Sequence, residues 1–298
     1  MVSKLINDLG IPPHSDMLWP TLQAVKDLGD SGTNQEIEDL AIGIMGLLDA
    51  QTIAWHGDGP QTEVRYRMAW ARTYLKKVGA LENSAKGVWS LTDYGQTMSK
   101  EEIKGIPAKV RSMTGRGNTS LITTSASKKI VPGISGEDTT ITSPGDGDWR
   151  ESLLRVLQEL PPSSFEKLCQ RLLRESGFIQ VEVTGRSGDG GIDGIGVLRI
   201  ALLRFQVLFQ CKRYKGSVGA SAVRDFRGAM VGRTDKGLLI TTGSFTAEAR
   251  REATRDGAPV LDLIDGEQIC TILKELKLGV RTQQVEQVVI DVTWLNTL

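Results

Sequence analysis

The chain of 298 residues is poor in the residue types on which several hydrolytic mechanisms depend. Its three cysteines, Cys169, Cys211 and Cys270, lie far apart and form no CxxC pair. Each sits in an apolar stretch, the pattern of a small core hydrophobe. Its two histidines, His14 and His56, are distant in sequence, so zinc hydrolysis and histidine-based phosphodiester chemistry fit poorly. No GxxxxGK(S/T) loop, no GxGxxG turn after a strand and no GxSxG elbow occurs. No apolar run approaches the roughly 20 residues of a membrane span, and the N-terminus lacks the basic-then-apolar pattern of a signal peptide. There is no excess of charge either, since 36 basic residues face 36 acidic ones. For any hydrolytic chemistry this composition leaves carboxylates, lysine and a hard metal.

What is present is uneven along the chain. Arg65, Arg67, Arg72, Lys76 and Lys77 fall within a window that contains no acid. A one-signed face on a neutral chain suits a phosphate backbone, and it equally suits a solvated helix surface. Residues 1–98 read as helices followed by a hairpin. Asp16 to Leu28 is a first helix; Thr33-x-x-Glu36 is a capping box that opens a second, with an apolar series at Ile37, Leu40, Ala41, Ile44 and Leu48. A third runs from about Glu63 to Val78, with Ala71, Tyr74, Leu75 and Val78 inward. Leu81 and Val88 to Leu91 then flank a tight turn at 84–87 that places Lys86 at its tip. Three helices and a wing form a winged helix-turn-helix, whose third helix enters a DNA groove. Arg65, Arg67, Arg72, Lys76, Lys77 and Lys86 are therefore the candidate DNA-binding residues, with dimerisation as the competing use of such a module.

Between 99 and 148 about half of the positions are Gly, Ser, Thr or Pro, and no aromatic residue occurs. Such a stretch buries too little apolar surface to offset its ordering entropy, so it reads as a flexible linker with a short ordered piece near Ile103 to Val110. A tether of this kind lets one domain search while the other stays bound.

Residues 149–278 form a second domain, followed by a tail at 279–298. Phe165, Leu168, Cys169, Leu172 and Leu173 make one stripe of a helix over 163–176, which Gly177 ends. Strands follow at 178–184, 192–200 and 205–212. A helix over 220–231, a strand over 237–242, a helix over 245–256 and a strand over 260–264 lead to a last helix opened by Asp265-x-x-Gln268. This order indicates an α/β fold with a mixed sheet, and the short link between the second and third strands demands an antiparallel pair. If that hairpin turns near residue 202, Asp193 lies opposite Gln210 to Lys212. Period-two alternation then puts Gln210 and Lys212 on one face and Cys211 on the other.

The run Gly188-Asp-Gly-Gly-Ile-Asp-Gly194, then Phe209-Gln-Cys-Lys-Arg213, then Gly237-Leu-Leu-Ile-Thr-Thr242 resembles the Mrr branch of the PD-(D/E)xK nucleases. The resemblance spans about 160–276, and 1–98 resembles, more loosely, the winged-helix domain that accompanies it. It implies a restriction-endonuclease-like core in which Asp193 binds metal, Gln210 replaces the usual second acid, Lys212 is the catalytic lysine and Glu166 completes the metal site. Ser163-x-x-Glu166 also has the form of a capping box, so a pure capping role for Glu166 stays open. The same resemblance implies Mg²⁺, with Mn²⁺ as a substitute, methylated double-stranded DNA as substrate, and a homodimer or higher assembly. It further implies restriction defence in the cytoplasm, at the nucleoid, with no membrane partner. A structure-specific repair nuclease and a catalytically silent DNA-binding regulator are the alternatives. Asp189 reads as a turn residue or an auxiliary acid, and Arg186, Arg213 and Arg224 as phosphate contacts or surface charges.

Overall fold

Thr33 ends an extended segment and starts a helix, and the same short stretch joins the two halves of the molecule. A computed structural model describes residues 9–57, 60–114, 148–183, 191–234 and 236–283. The N-terminal part contains α1 (Leu18–Asp27), β1 (Ser31–Thr33), α2 (Asn34–Met45), α3 (Asp49–Thr52), α4 (Glu63–Lys77), β2 (Leu81–Ala85), β3 (Val88–Leu91), α5 (Asp93–Thr97) and α6 (Lys100–Thr114). The three strands form an antiparallel sheet in the order β1-β3-β2. The Thr33 capping box is made in full: its hydroxyl accepts from the Glu36 N–H and the Glu36 carboxylate accepts from the Thr33 N–H. Helices α1, α2 and α4 bury Leu18, Leu22, Val25, Ile37, Ala41, Val64, Met68, Ala71 and Leu75 in one core. A winged helix results.

Three expectations change here. Ile44 is exposed in the last turn of α2, and Leu48 is exposed because the helix ends at the left-handed Gly46 before the apolar series is complete. Tyr74 lies half-buried at the rim, against His14, rather than inside. Residues 100–114, expected as linker with a short ordered piece, form a four-turn helix whose Ile103, Ile106 and Val110 complete the N-terminal core. Low overall hydrophobicity concealed an amphipathic stripe at i, i+3 and i+7. The rest of the expected linker, 115–147, lies outside the described residues, as do Arg186, Asp189 and the tail beyond 283.

The second part contains α7 (Asp148–Glu159), α8 (Pro162–Glu175), β4 (Phe178–Val183), β5 (Gly194–Ile200), β6 (Leu203–Lys212), β7 (Ser217–Val218), α9 (Ala220–Met230), β8 (Gly237–Thr241), β9 (Ser244–Phe245), α10 (Ala247–Ala253), β10 (Leu261–Ile264) and α11 (Gly266–Glu275). Its five-stranded sheet runs β10-β8-β6-β5-β4. The hairpin-linked strands β4, β5 and β6 pair antiparallel, whereas β6, β8 and β10 are parallel through helical crossovers. Helices α7, α8 and α11 cover one face through Leu157, Phe165, Cys169, Leu172, Ile269 and Leu273. Helices α9 and α10 cover the other through Val223, Phe226, Met230, Ala249 and Ala253. No helix among the described residues is long and apolar enough to cross a membrane.

The two parts are in direct contact. Arg174, at the end of α8, is 2% exposed. Its Nε donates to both Glu36 oxygens at 3.1–3.2 Å, Nη1 to Leu28 O and Ser31 Oγ, and Nη2 to Val181 O. Glu36 in turn accepts from the Val181 N–H at 2.7 Å, and Thr33 Oγ1 donates to Ile179 O. Lys167–Asp30 at 2.8 Å and Arg171–Glu82 at 3.2 Å flank this pair. The expected tethered search is thus replaced by docking of the N-terminal domain on α8. Removing one member of a buried pair strands the other charge, which costs about 3–5 kcal/mol, whereas an exposed pair contributes about 0–1 kcal/mol. Glu36→Ala is therefore expected to lower unfolding stability in urea by several times the effect of Lys167→Ala, which breaks only the exposed Asp30 pair.

Candidate active site

Strands β5 and β6 meet in a register that places Gly194 opposite Phe209 and Ile200 opposite Leu203, with the turn at Ala201 and Leu202. One residue before Gly194, the Asp193 N–H donates to the Phe209 carbonyl at 3.0 Å. Its Oδ2 accepts from the Cys211 N–H at 2.5 Å. The carboxylate is thereby oriented by backbone at the end of the hairpin and remains half-exposed. Beside it, Gln210 Nε2 donates to the Gly191 carbonyl, which engages the amide nitrogen with the backbone, so that the amide oxygen is the atom able to accept from or ligate another group. Gly191 has φ +81°, and a Cβ there would lie 2.3 Å from Gln210 Nε2, so glycine is required at this approach. Lys212 is exposed two residues further along β6, on the Gln210 side.

Glu166 comes from the other direction. Helix α8 begins at Pro162 with Pro161 as its N-cap, and the Ser164 and Phe165 N–H groups donate to the Pro161 carbonyl. The Ser163 capping box is thus not formed, and Glu166 sits in the second turn, half-buried. One turn of helix brings Cys169 against Cys211. Burial pushes the Cys211 thiol well above its ordinary range, with Cys169 adding to this and the negative fields of Asp193 and Glu166 acting in the same sense. Helix α8 thus packs on the Cys211 face of β6, the face opposite Gln210 and Lys212. Sequence reasoning did not find the Gly191 carbonyl or the Cys211 N–H as the groups that orient the set; backbone atoms leave no residue-type signal.

The expected DNA-binding residues separate into two groups. Arg72 is 4% exposed, donates to Glu38 at 3.0 Å and lies over the Trp89 ring. Burial raises the Glu38 carboxyl despite the attraction of Arg72 and Arg65. Arg67 is held by Glu63 and by the carbonyls of Ile11 and Pro12. Both guanidinium groups are thus turned into the domain, Arg67 onto three partners and Arg72 onto Glu38. Arg65 pairs with Glu38 at 3.3 Å but keeps over half of its side chain exposed, and Lys76, Lys77 and Lys86 are exposed. In the second domain Arg213 is exposed, with Nη1 donating to the Gln158 and Leu160 carbonyls, and Arg224 lies 3.8 Å from Glu252.

The restriction endonuclease domain model Mrr_cat matches residues 157–273, and the Mrr N-terminal domain model matches residues 14–101. Together they account for more than half of the chain, in the order in which the two folds appear. The chain belongs to the Mrr restriction endonuclease family. Outside the solved structures, it is 36% identical over 101 residues to an uncharacterised mitochondrial protein of Schizosaccharomyces pombe, which covers 32% of this chain and 40% of that one. Among solved structures it is similar to the DNA modification-dependent restriction endonuclease AspBHI, at 24% identity and TM-score 0.40, over 66% of this chain and 53% of that one. It is also similar to the MspJI restriction endonuclease in complex with a 27-mer oligonucleotide, at 24% identity and TM-score 0.37, over 62% and 42%. The chain thus spans about half or less of the length of these relatives.

For this Mrr-family chain the split among the basic residues has a measurable consequence. Arg72→Ala is expected to lower the melting temperature by leaving the buried Glu38 with only the half-exposed Arg65 as partner. Lys76→Ala and Lys77→Ala should leave it unchanged while each reduces the salt dependence of DNA binding by about one ion.

Proposed function

We propose that the chain is a divalent-metal-dependent DNA endonuclease in which Asp193, Gln210, Glu166 and Lys212 act at one phosphodiester. The observation that carries this reading is the hairpin geometry: backbone groups orient Asp193 and Gln210 side by side at the end of β5 and β6. The donor set fits a hard cation, because Asp193, Glu166 and the Gln210 amide all offer oxygen. No group of three or more His, Cys, Asp or Glu side chains that could hold a metal ion occurs among the described residues. A divalent cation held by the two acids and the amide supplies a more acidic water and charge neutralisation at the phosphate. Lys212, exposed on the same side of β6, is placed to orient the attacking water and to offset negative charge that develops on the phosphate. Glu166 draws on α8 for position, and α8 is fixed by Arg174 to the N-terminal domain.

In the finer reading the metal is Mg²⁺, with Mn²⁺ as substitute, and the substrate is methylated double-stranded DNA cut by two copies of the chain. The winged helix meets that DNA through Arg65, Lys76, Lys77 and Lys86. The chemistry is tested with purified full chain on plasmids that differ in cytosine and adenine methylation. Cleavage is expected with Mg²⁺ and none with EDTA, and Asp193→Asn or Lys212→Ala should each reduce the rate at least ~100-fold with an unchanged circular dichroism spectrum. Wild-type protein that leaves every substrate intact with either metal would sink the proposal.

A further inference from the structure

The outward face of α4 is aromatic rather than basic. Tyr66, Trp70 and Tyr74 recur every fourth residue and therefore line one side of the helix. Their rings form a continuous row: His56 stacks on Tyr66 at 3.6 Å with 12° between planes, Tyr66 meets Trp70 at 6.4 Å, and Trp70 meets Tyr74 at 6.4 Å. His14 closes the far end at 5.0 Å from Tyr74. Trp70, at the centre, is 43% exposed. The inward face of α4 is already filled by Val64, Met68, Ala71 and Leu75, so the row contributes little to the core.

The surroundings of the row identify its partner. No acid follows Glu63 in α4, and the Glu63 carboxylate is occupied by His56 and Arg67. Lys77 Nζ lies 6.0 Å from the Tyr74 ring centre, and Arg65 and Lys76 flank the same helix. On the ring side of the helix the interleaved residues are Glu63, Arg67, Thr73 and Lys77, none of them aliphatic. A helix that reads base edges in a duplex needs hydrogen-bonding side chains at its centre, and this centre is occupied by Trp70. An exposed ring between two half-buried ones, with ammonium groups beside them, can hold unpaired bases, because every base has a π-face and every step carries a phosphate.

We propose that this face of α4 binds single-stranded DNA, stacking unpaired bases on Tyr66, Trp70 and Tyr74 with Lys76 and Lys77 on the backbone. The inference rests on the proposal that the N-terminal domain meets DNA, and it adds that the DNA is unpaired at this contact. The experiment measures full-chain binding in EDTA to a fluorescent oligo-dT of about 15 nucleotides and to a duplex of equal length. Trp70→Ala is expected to weaken oligo-dT binding about tenfold and to leave duplex binding within about twofold. Trp70→Phe should retain most of the affinity, and Lys77→Glu should weaken oligo-dT binding with the rings intact. Unchanged oligo-dT binding by Trp70→Ala would overturn the proposal, as would an equal loss for duplex. So would a dimer that light scattering shows to dissociate on Trp70→Ala in the absence of DNA. Cleavage of duplex by wild type with Mg²⁺ separates the two ideas. Cleavage together with oligo-dT binding indifferent to Trp70 refutes only the stacking surface. Trp70-dependent oligo-dT binding without cleavage refutes only the nuclease reading.

Discussion

A guanidinium and a carboxylate removed from water each carry a desolvation penalty of several kcal/mol, which an interface recovers only if nearly every donor and acceptor is matched. Arg174 and Glu36 meet that condition. Arg174 uses all three nitrogens, on Glu36, Leu28 O, Ser31 Oγ and Val181 O, and Glu36 adds the N–H groups of Thr33 and Val181. A pair built in this way contributes less to net stability than to uniqueness, because any other docking of the two domains leaves buried charge unmatched. Its position gives it further weight. Glu36 belongs to the capping box that starts α2 in the winged helix, and Arg174 belongs to the helix that carries Glu166. Domain orientation, helix initiation and the placement of a candidate metal-binding carboxylate therefore share one pair of side chains.

The hairpin of β5 and β6 is the second constraint. A shift of one residue in its register would turn Gln210 and Lys212 to the face now occupied by Cys211, and would move Asp193 away from the Cys211 N–H. The register is held by packing on both sides of the sheet, with Leu208 in the α9–α10 core and Phe209 against Leu173 and Val181. It is also held by the absence of a side chain at Gly194, where a Cβ would meet the Phe209 ring at 2.5 Å. The chemistry at the strand end is in this sense a consequence of how the middle of the hairpin packs.

Much of this architecture was legible from local pattern. The Thr33 and Asp265 capping boxes, the stripe of α8 and the hairpin joining β5 to β6 all depend on residues close in sequence. Asp193, Gln210 and Lys212 could be placed together for the same reason, since one turn length decides which residues face each other. The basic run of α4 was the least informative signal. Arg67 and Arg72 have the composition of a phosphate-binding helix, yet their partners, Glu63, Glu38 and the carbonyls of Ile11 and Pro12, come in large part from other segments. Sequence counts a charge, and only the fold shows whether that charge is already neutralised.

The amino-acid sequence by itself determined the order of elements, the mixed sheet and the convergence of three site residues, because helix stripes, caps and hairpin registers are set by interactions over a few residues. Tertiary structure decided which arginines face inward and that residues 100–114 complete the N-terminal core. It also decided that the outward face of α4 carries rings, and that the two domains are docked through Arg174 and Glu36, 138 positions apart. Those outcomes depend on which distant surfaces come together and on which charges are desolvated when they do. Neither has a local signature.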